Sequence, residues 1–292
     1  MPVQSKMILD SVSPDGVRLT TMELTYPLIV HNELLTHRSI GKSDSSEYDE
    51  WLEFSRNSSS NRAIPSERLI AQVLDDPYFP KNPRYSASGM IPGEYMNQED
   101  KEKTIQEWLD ARIDAVERVR RLQELKLAKQ WRNRIIGPWQ WITVVATANE
   151  EHWNHFFNLR NHFAAQDEIH EIAAMAQTIY DSSRPKLLAY GLWHTPYVTK
   201  DEILFDSNIS VMSEDHLDNL LKEISVARCA RTSFLRQDEV HKISEDISLF
   251  HRLYGAMPPH GSPFEHVAQS TTAEVRSGNF VGYNQFRKML KI

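Results

Sequence analysis

The chain has 292 residues, is 40% hydrophobic and 25% charged, and carries a formal net charge of −7 at pH 7, values ordinary for one large globular domain or two smaller ones. The acidic balance argues against a protein whose main task is gripping nucleic acid. There is no run of 18 apolar residues to suggest a membrane span, and "MPVQSKMILD" lacks the zones of a signal peptide. The lone cysteine, Cys229, excludes an intramolecular disulfide framework and suits a reducing cytoplasm.

In chain order, "KMILDSVSPDGVRLTTMELTYP" predicts two strands around a Pro-Asp-Gly turn. "PLIVHNELLTHR" predicts a helix with Pro27 at its first position. Residues 39 to 53 are polar and acidic and read as a surface insertion. Residues 76 to 98, rich in Pro, Gly, Tyr and Ser, read as a long ordered loop or lid. From about 99 to 135, Ile105, Leu109, Ile113, Val116, Val119 and Leu122 recur at helical spacing between charges. "WQWITVVATA" predicts a buried strand. Helices are expected near 150 to 160, 164 to 181, 213 to 232 and 239 to 254. Cys229, at the apolar end of the third of these, reads as a buried structural thiol and not a nucleophile. The class is α+β, mainly helical, with a mixed sheet and long helices in a single domain spanning 1 to 292.

The stretch "FSRNSSSNRAIP" (54 to 65) is hard to explain as packing. Serine and asparagine side chains with backbone N–H groups in a tight loop form an anion cradle, and arginines add bidentate charge. "QWRNRIIGP" places Arg132 and Arg134 at a helix end, and "NEEHWNHFFNLRNHFAAQ" places Asn154, Asn158 and Arg160 near two phenylalanines. Several arginines from distant segments fit a nucleotide or dinucleotide better than a small neutral substrate. His152, His155, Asp167 and His170 have spacing compatible with metal ligands. With no second carboxylate–histidine pair at matching spacing, ordinary helix-surface histidines are the preferred reading, and no metal is expected.

The combination of these segments resembles the flavin-dependent thymidylate synthases (the ThyX family). That family carries an Arg-His-Arg triplet followed by S-x-N-E-x-S-x-R. His37 and Arg38 match the triplet, and Ser55, Asn57, Ser60 and Arg62 match the second motif at its spacing. "NRIIGP" resembles the family's nucleotide-binding Arg segment, and "HFFNLRNHFAAQDEI" its N-x-L-R…A-Q-x-E-I segment. "ARTSF" and "HGSPFEH" resemble two segments that ordinary members carry near the N-terminus, so the motif order is that of a circularly permuted, variant branch of the ThyX-like fold.

The resemblance implies reductive methylation of dUMP to dTMP, with FAD as cofactor and NADPH and methylenetetrahydrofolate as co-substrates, in a cytoplasmic homotetramer with shared sites. No enzyme cysteine is needed. By the same resemblance Glu33, Ser60, Arg62, Arg134 and Arg160 would hold the nucleotide, with Arg160 and Ser60 at the catalytic centre. His37, Arg38, Asn57, Asn149, His155, Ser233, His260 and Ser262 would line the flavin site. The chain departs from the pattern at Thr36 for the first Arg of the triplet, Ser58 for the motif's Glu, Glu33 for a Gln near the pyrimidine and His155 for an Asn near the flavin. A carboxylate at position 33 can accept a hydrogen bond from a cytosine amino group. The alternatives are therefore a dCMP methylase or hydroxymethylase, or a dUMP hydroxymethylase, on the same fold. A non-catalytic or RNA-binding descendant using the basic loop is a third reading.

Overall fold

The computed structural model describes residues 3–37, 39–41, 50–89, 92–207, 209–211, 213–234 and 239–292. β1 (Gln4–Val12) and β2 (Arg18–Pro27) form the expected antiparallel hairpin. Its turn closes with Ser13 N–H donating to Val17 O at 2.9 Å. Gly16 sits there at φ +80°, a conformation that costs a residue without Cβ almost nothing.

The helix expected from Pro27 onward is shorter than its pattern. A 3-10 turn, Leu28–Val30, leads into the five-residue α1 (His31–Leu35). The Thr36 hydroxyl then donates back to Asn32 O at 2.8 Å as the helix ends. β3 (Ser39–Gly41) and β4 (Glu50–Leu52) pair antiparallel at the two ends of the expected insertion. The rest of that segment, 42–49, and the flavin candidate Arg38 lie outside the described residues.

The first third of the serine stretch is a strand, β5 (Ser55–Ser58), not a loop. It runs along the outer edge of β6 (Trp141–Asn149), with Ser55 opposite Thr147 and Ser58 opposite Val144. Backbone pairing, not apolar alternation, places it there. With β7 (Lys186–Leu187), which pairs parallel to β1, the order is β5-β6-β2-β1-β7, a mixed sheet. β6 is buried along its whole length, as its β-branched run predicts.

α2 (Ser66–Asp75), which is not among the predicted elements, precedes loop segments at 76–89 and 92–97. α3 (Gln98–Glu124) then begins at Asn97, whose side chain accepts from Asp100 N–H. α4 (Lys129–Arg132) follows. α5 (Glu150–Arg160) and α6 (Asp167–Ser182) cover one face of the sheet. There Trp153, Phe156, Ile169, Ile172 and Ala176 pack on Leu24, Val144 and Ala146. A second core joins Leu69 and Val73 of α2 to Val116 and Val119 of α3. β8 (Trp193–His194) and α7 (Lys200–Phe205) lead to the paired helices α8 (Glu214–Arg231) and α9 (Ile243–Tyr254). The chain closes with β9 (Ala268–Ser270), β10 (Arg276–Ser277), β11 (Phe280–Val281), β12 (Tyr283–Gln285) and α10 (Phe286–Leu290). This is the α+β architecture, with a mixed sheet and long helices, that the sequence predicts.

A buried polar chain ties these layers together. Ser11 hydrogen bonds His194 Nδ1 (2.8 Å), His194 Nε2 meets Thr21 (2.8 Å), Thr21 meets Thr147 (2.7 Å) and Thr147 meets His266 Nδ1 (2.8 Å). Burial pushes both imidazoles down to about 3, so both stand neutral in the folded protein. Among the described residues, no helix is long and apolar enough to cross a membrane.

Candidate functional site

β5 delivers the chain into a tight loop, and that loop is fixed by main-chain groups. Ser59 N–H donates to Thr143 O at 2.9 Å while its hydroxyl accepts from Thr143 N–H at 3.2 Å. Ser60 O receives the N–H groups of Ala63 and Ile64 at 2.9 and 3.0 Å, and Ser60 Oγ accepts from Arg62 N–H at 3.3 Å. Ser60 N–H reaches across to Ser233 O at 3.2 Å. The loop is therefore preformed, with hydroxyl protons left to offer a ligand.

A residue absent from the sequence-based list locks the second arginine beside it. Asn133 is fully buried; its amide donates to Asn61 O (2.9 Å) and Ile64 O (3.1 Å), while its oxygen accepts from Ser66 Oγ (2.5 Å). Lys129 adds a bond to Ala63 O at 2.8 Å. Arg134, next in chain, is thereby held against the serine loop.

The result is a cavity of about 210 Å³ lined by Ser58, Ser59, Ser60, Asn61, Arg62 and Arg134, with His31 on one wall. Leu28, Ile64, Leu69 and Ile142 supply apolar surface, and among the described residues no carboxylate lines it. Both arginines are solvent-exposed, and among the described residues neither has an ion-pair partner. His31 bonds the Tyr26 hydroxyl through Nδ1 at 2.9 Å, and burial, helped by Arg56, holds it down to about 4. The cavity thus carries two unopposed guanidinium charges and a neutral imidazole, an anion site with a hydrophobic side.

A second cluster forms where α1 and His37 meet α5. Arg160 forms an ion pair with the Glu33 carboxylate and donates to Glu33 O at 3.3 Å. His37 is buried among aromatic rings, 4.9 Å from His155, 5.1 Å from His152 and 5.3 Å from Phe156 between centroids. Desolvation first, then His155, Arg160 and Arg56, push His37 down to about 3. Its Nε2 is buried and has no hydrogen-bond partner among the described residues. His152 is likewise held neutral, down to about 3, by burial and its neighbouring imidazoles. Among the described residues no cluster of three metal donors occurs.

The remaining flavin candidates distribute unevenly. Asn57 and Ser233 come together, the Ser233 hydroxyl donating to Asn57 Oδ1 at 3.4 Å, although the Asn57 amide also donates to Cys229 O at 2.7 Å. His260 and Ser262 are exposed at the 3-10 turn Ser262–Glu265, which packs against β5 and α8. Asn149 does not join them. Its amide donates to Arg18 O and Val281 O, and its oxygen accepts from Val281 N–H at 2.8 Å, so the side chain ties β11 to the sheet end. Ser55, matched to the family motif, likewise spends its hydroxyl on Asn279 and Gln285.

No family model matches the chain, and no curated protein sequence matches it. Among solved structures it is similar to the UMP/dUMP methylase PolB from Streptomyces cacaoi bound with 5-Br dUMP. That overlap has a TM-score of 0.46 and 16% identity, covering 61% of this chain and 90% of that one. The same enzyme bound with 5-Br UMP overlaps with a TM-score of 0.47 and 15% identity, covering 61% of this chain and 88% of that one.

Proposed function

We propose that the protein is a pyrimidine-nucleotide methylase of the flavin-dependent thymidylate synthase type, converting dUMP to dTMP, with a permuted ThyX-like chain order. The observation that carries this reading is the cavity of Ser58–Arg62 and Arg134. Two guanidinium groups without carboxylate partners among the described residues, beside serine hydroxyls, suit a phosphate monoester, and the apolar wall suits the rest of a nucleotide. Resemblance of sequence motifs and convergence in space agree here, since Ser60, Arg62 and Arg134 come from segments up to 74 positions apart and share one cavity.

The base would meet Glu33 and Arg160, which offer an acceptor and a donor side by side. That pair can meet the donor–acceptor edge of either uracil or cytosine. The second reading, a dCMP methylase or hydroxymethylase or a dUMP hydroxymethylase, is favoured by the carboxylate at Glu33.

The residues fit a flavin in one respect: the buried His37 ring, beside His155, has an Nε2 with no hydrogen-bond partner among the described residues. Ser233, in the turn after α8, and Asn57 of β5 form a separate polar pair. FAD, when bound, would supply the reducing equivalents, taken from NADPH, for a carbon donated by methylenetetrahydrofolate. The chain's own part is to bind phosphate at Arg62 and Arg134, orient the base at Glu33 and Arg160, and keep His37 unprotonated. Assembly into a homotetramer belongs to the same proposal.

The test has two arms. Protein mixed with FAD should show the flavin bands after removal of free cofactor, and dUMP and dCMP offered in parallel should give one methylated or hydroxymethylated product. No flavin retention and no product from either nucleotide would refute the proposal.

A further inference from the structure

Strand alternation sends Arg56 to the opposite face from Ser55 and Asn57. Those two bond the C-terminal hairpin and Cys229 O, whereas Arg56 reaches α1. Its Nη1 donates to Leu34 O and to Leu35 O, both at 3.2 Å, and its Nη2 donates to Glu53 at 3.2 Å. Leu34 O already accepts from His37 N–H at 3.3 Å, so the guanidinium adds a second donor to it, and a cation at this helix end also suits the partial negative charge of the carbonyls. The guanidinium side chain is 19% exposed, so these bonds are sheltered from water.

Two residues after Arg56 the chain enters the serine loop, and two residues after Leu35 it reaches His37. Arg56 therefore links the segment that enters the cavity to the segment that carries His37. Its charge reaches Tyr26, His31, His37, His152 and Glu265. Among the described residues, the other charged or titratable groups around it are Glu53 on its own segment, Arg160 and His155 beside His37, and Arg287, which pairs with Glu265.

We propose that Arg56 is a positioning residue: by holding the carbonyl end of α1 against β5, it sets where the His37 cluster stands relative to the Ser58–Arg62 cavity. Only the nucleotide readout below rests on the functional reading given above. Lysine can keep the charge but cannot span two carbonyls and a carboxylate at once.

The test compares full-length Arg56→Lys and Arg56→Gln with the parent by amide hydrogen exchange, histidine-ring NMR titration and calorimetry with dUMP. In both variants the amides of Thr36 and His37, which close the end of α1, should exchange about tenfold faster, the decade that ~1.4 kcal/mol of lost holding energy gives. In Arg56→Gln the His31 midpoint should rise by about half a unit or more, and in Arg56→Lys it should stay near the parent's. dUMP affinity should fall in both. Parent-like exchange at Thr36 and His37 in both variants would overturn the proposal. Weaker dUMP binding with unchanged exchange would do so too, by making Arg56 a direct ligand. A parent that binds no dUMP would refute the functional reading while the exchange and titration data still decide this one.

Discussion

Two arginine-bearing regions of this chain look alike in sequence and differ in everything the structure adds. In α8, Arg228 and Arg231 converge on Asp246 of α9, a fully buried carboxylate. Arg231 binds one of its oxygens at 3.0 and 2.6 Å, and Arg228 the other at 3.0 Å. Arg228 also pairs with Glu202. Arg62 and Arg134 share a cavity that no carboxylate among the described residues lines. The first set is a closed electrostatic account that holds α8 to α9 and α7. The second leaves positive charge facing solvent, a state worth keeping only if a ligand brings the anion. Unopposed charge, more than the presence of arginine, distinguishes a binding site from a structural joint.

Removing the buried anion should have the largest effect. Asp246→Asn leaves two sheltered guanidinium groups short of their counter-charge and should cost roughly 3–5 kcal/mol, read as a lower midpoint in chemical denaturation. A loss below about 1 kcal/mol would mean the joint is not closed as described.

Acid should then separate core from cavity. His194 and His266 titrate near 6.5 when unfolded and are held to about 3 when folded, so the unfolded state takes up protons first. Their stabilising effect is complete above about pH 6.5 and drains away as pH falls from there toward 3. Each contributes a slope of roughly 1.4 kcal/mol per pH unit within that window. Denaturation midpoints measured from pH 7 to pH 5 should fall steadily, and a flat profile would contradict neutral burial of these rings.

A smaller change is expected on the open side. Arg62→Lys should weaken dUMP binding by about ten- to a hundredfold, since a lysine cannot reproduce two charge-assisted bonds worth roughly 1.5–3 kcal/mol each. Its stability should match the parent's, because among the described residues the Arg62 side chain has no hydrogen-bond or ion-pair partner. A large loss of stability would move Arg62 to the structural class. Smallest of all, Cys229→Ala should keep most turnover and lose about 1 kcal/mol of stability to a small cavity. Burial pushes the Cys229 thiol far above the usual range, so it is no nucleophile. A folded but inactive variant would reverse that conclusion.

How much of this was legible in the sequence differs by kind of signal. The helix Gln98–Glu124 and the strand Trp141–Asn149 announce themselves because burial imposes a period or a β-branched run. The clustering of Ser60, Arg62 and Arg134 was legible through motif resemblance, not periodicity. Strand β5 was not, because an edge strand of serines is placed by backbone bonds that leave no apolar pattern. The role of Asn133 is not legible, and Arg56, which the sequence groups with Arg62 in the anion cradle, turns instead to α1 and Glu53, for a related reason. Each works through carbonyl groups, and carbonyls carry no side-chain identity to read. Asn149 shows the converse, a short polar residue at a motif-matched position whose bonding capacity goes to Arg18 and Val281 backbone. Asp246 lies 15 residues from Arg231, so only the packing of α9 on α8 reveals the pair.

The central claim is that the Ser58–Arg62 cavity with Arg134 holds the phosphate of a nucleotide. Calorimetric titration of the FAD-treated protein with dUMP and with deoxyuridine, in the parent and in Arg62→Ala/Arg134→Ala, tests it directly. The account requires the parent to prefer dUMP by about a hundredfold or more, and the double variant to lose most of that preference while its affinity for deoxyuridine is little changed. Equal preference for dUMP in parent and double variant would contradict it.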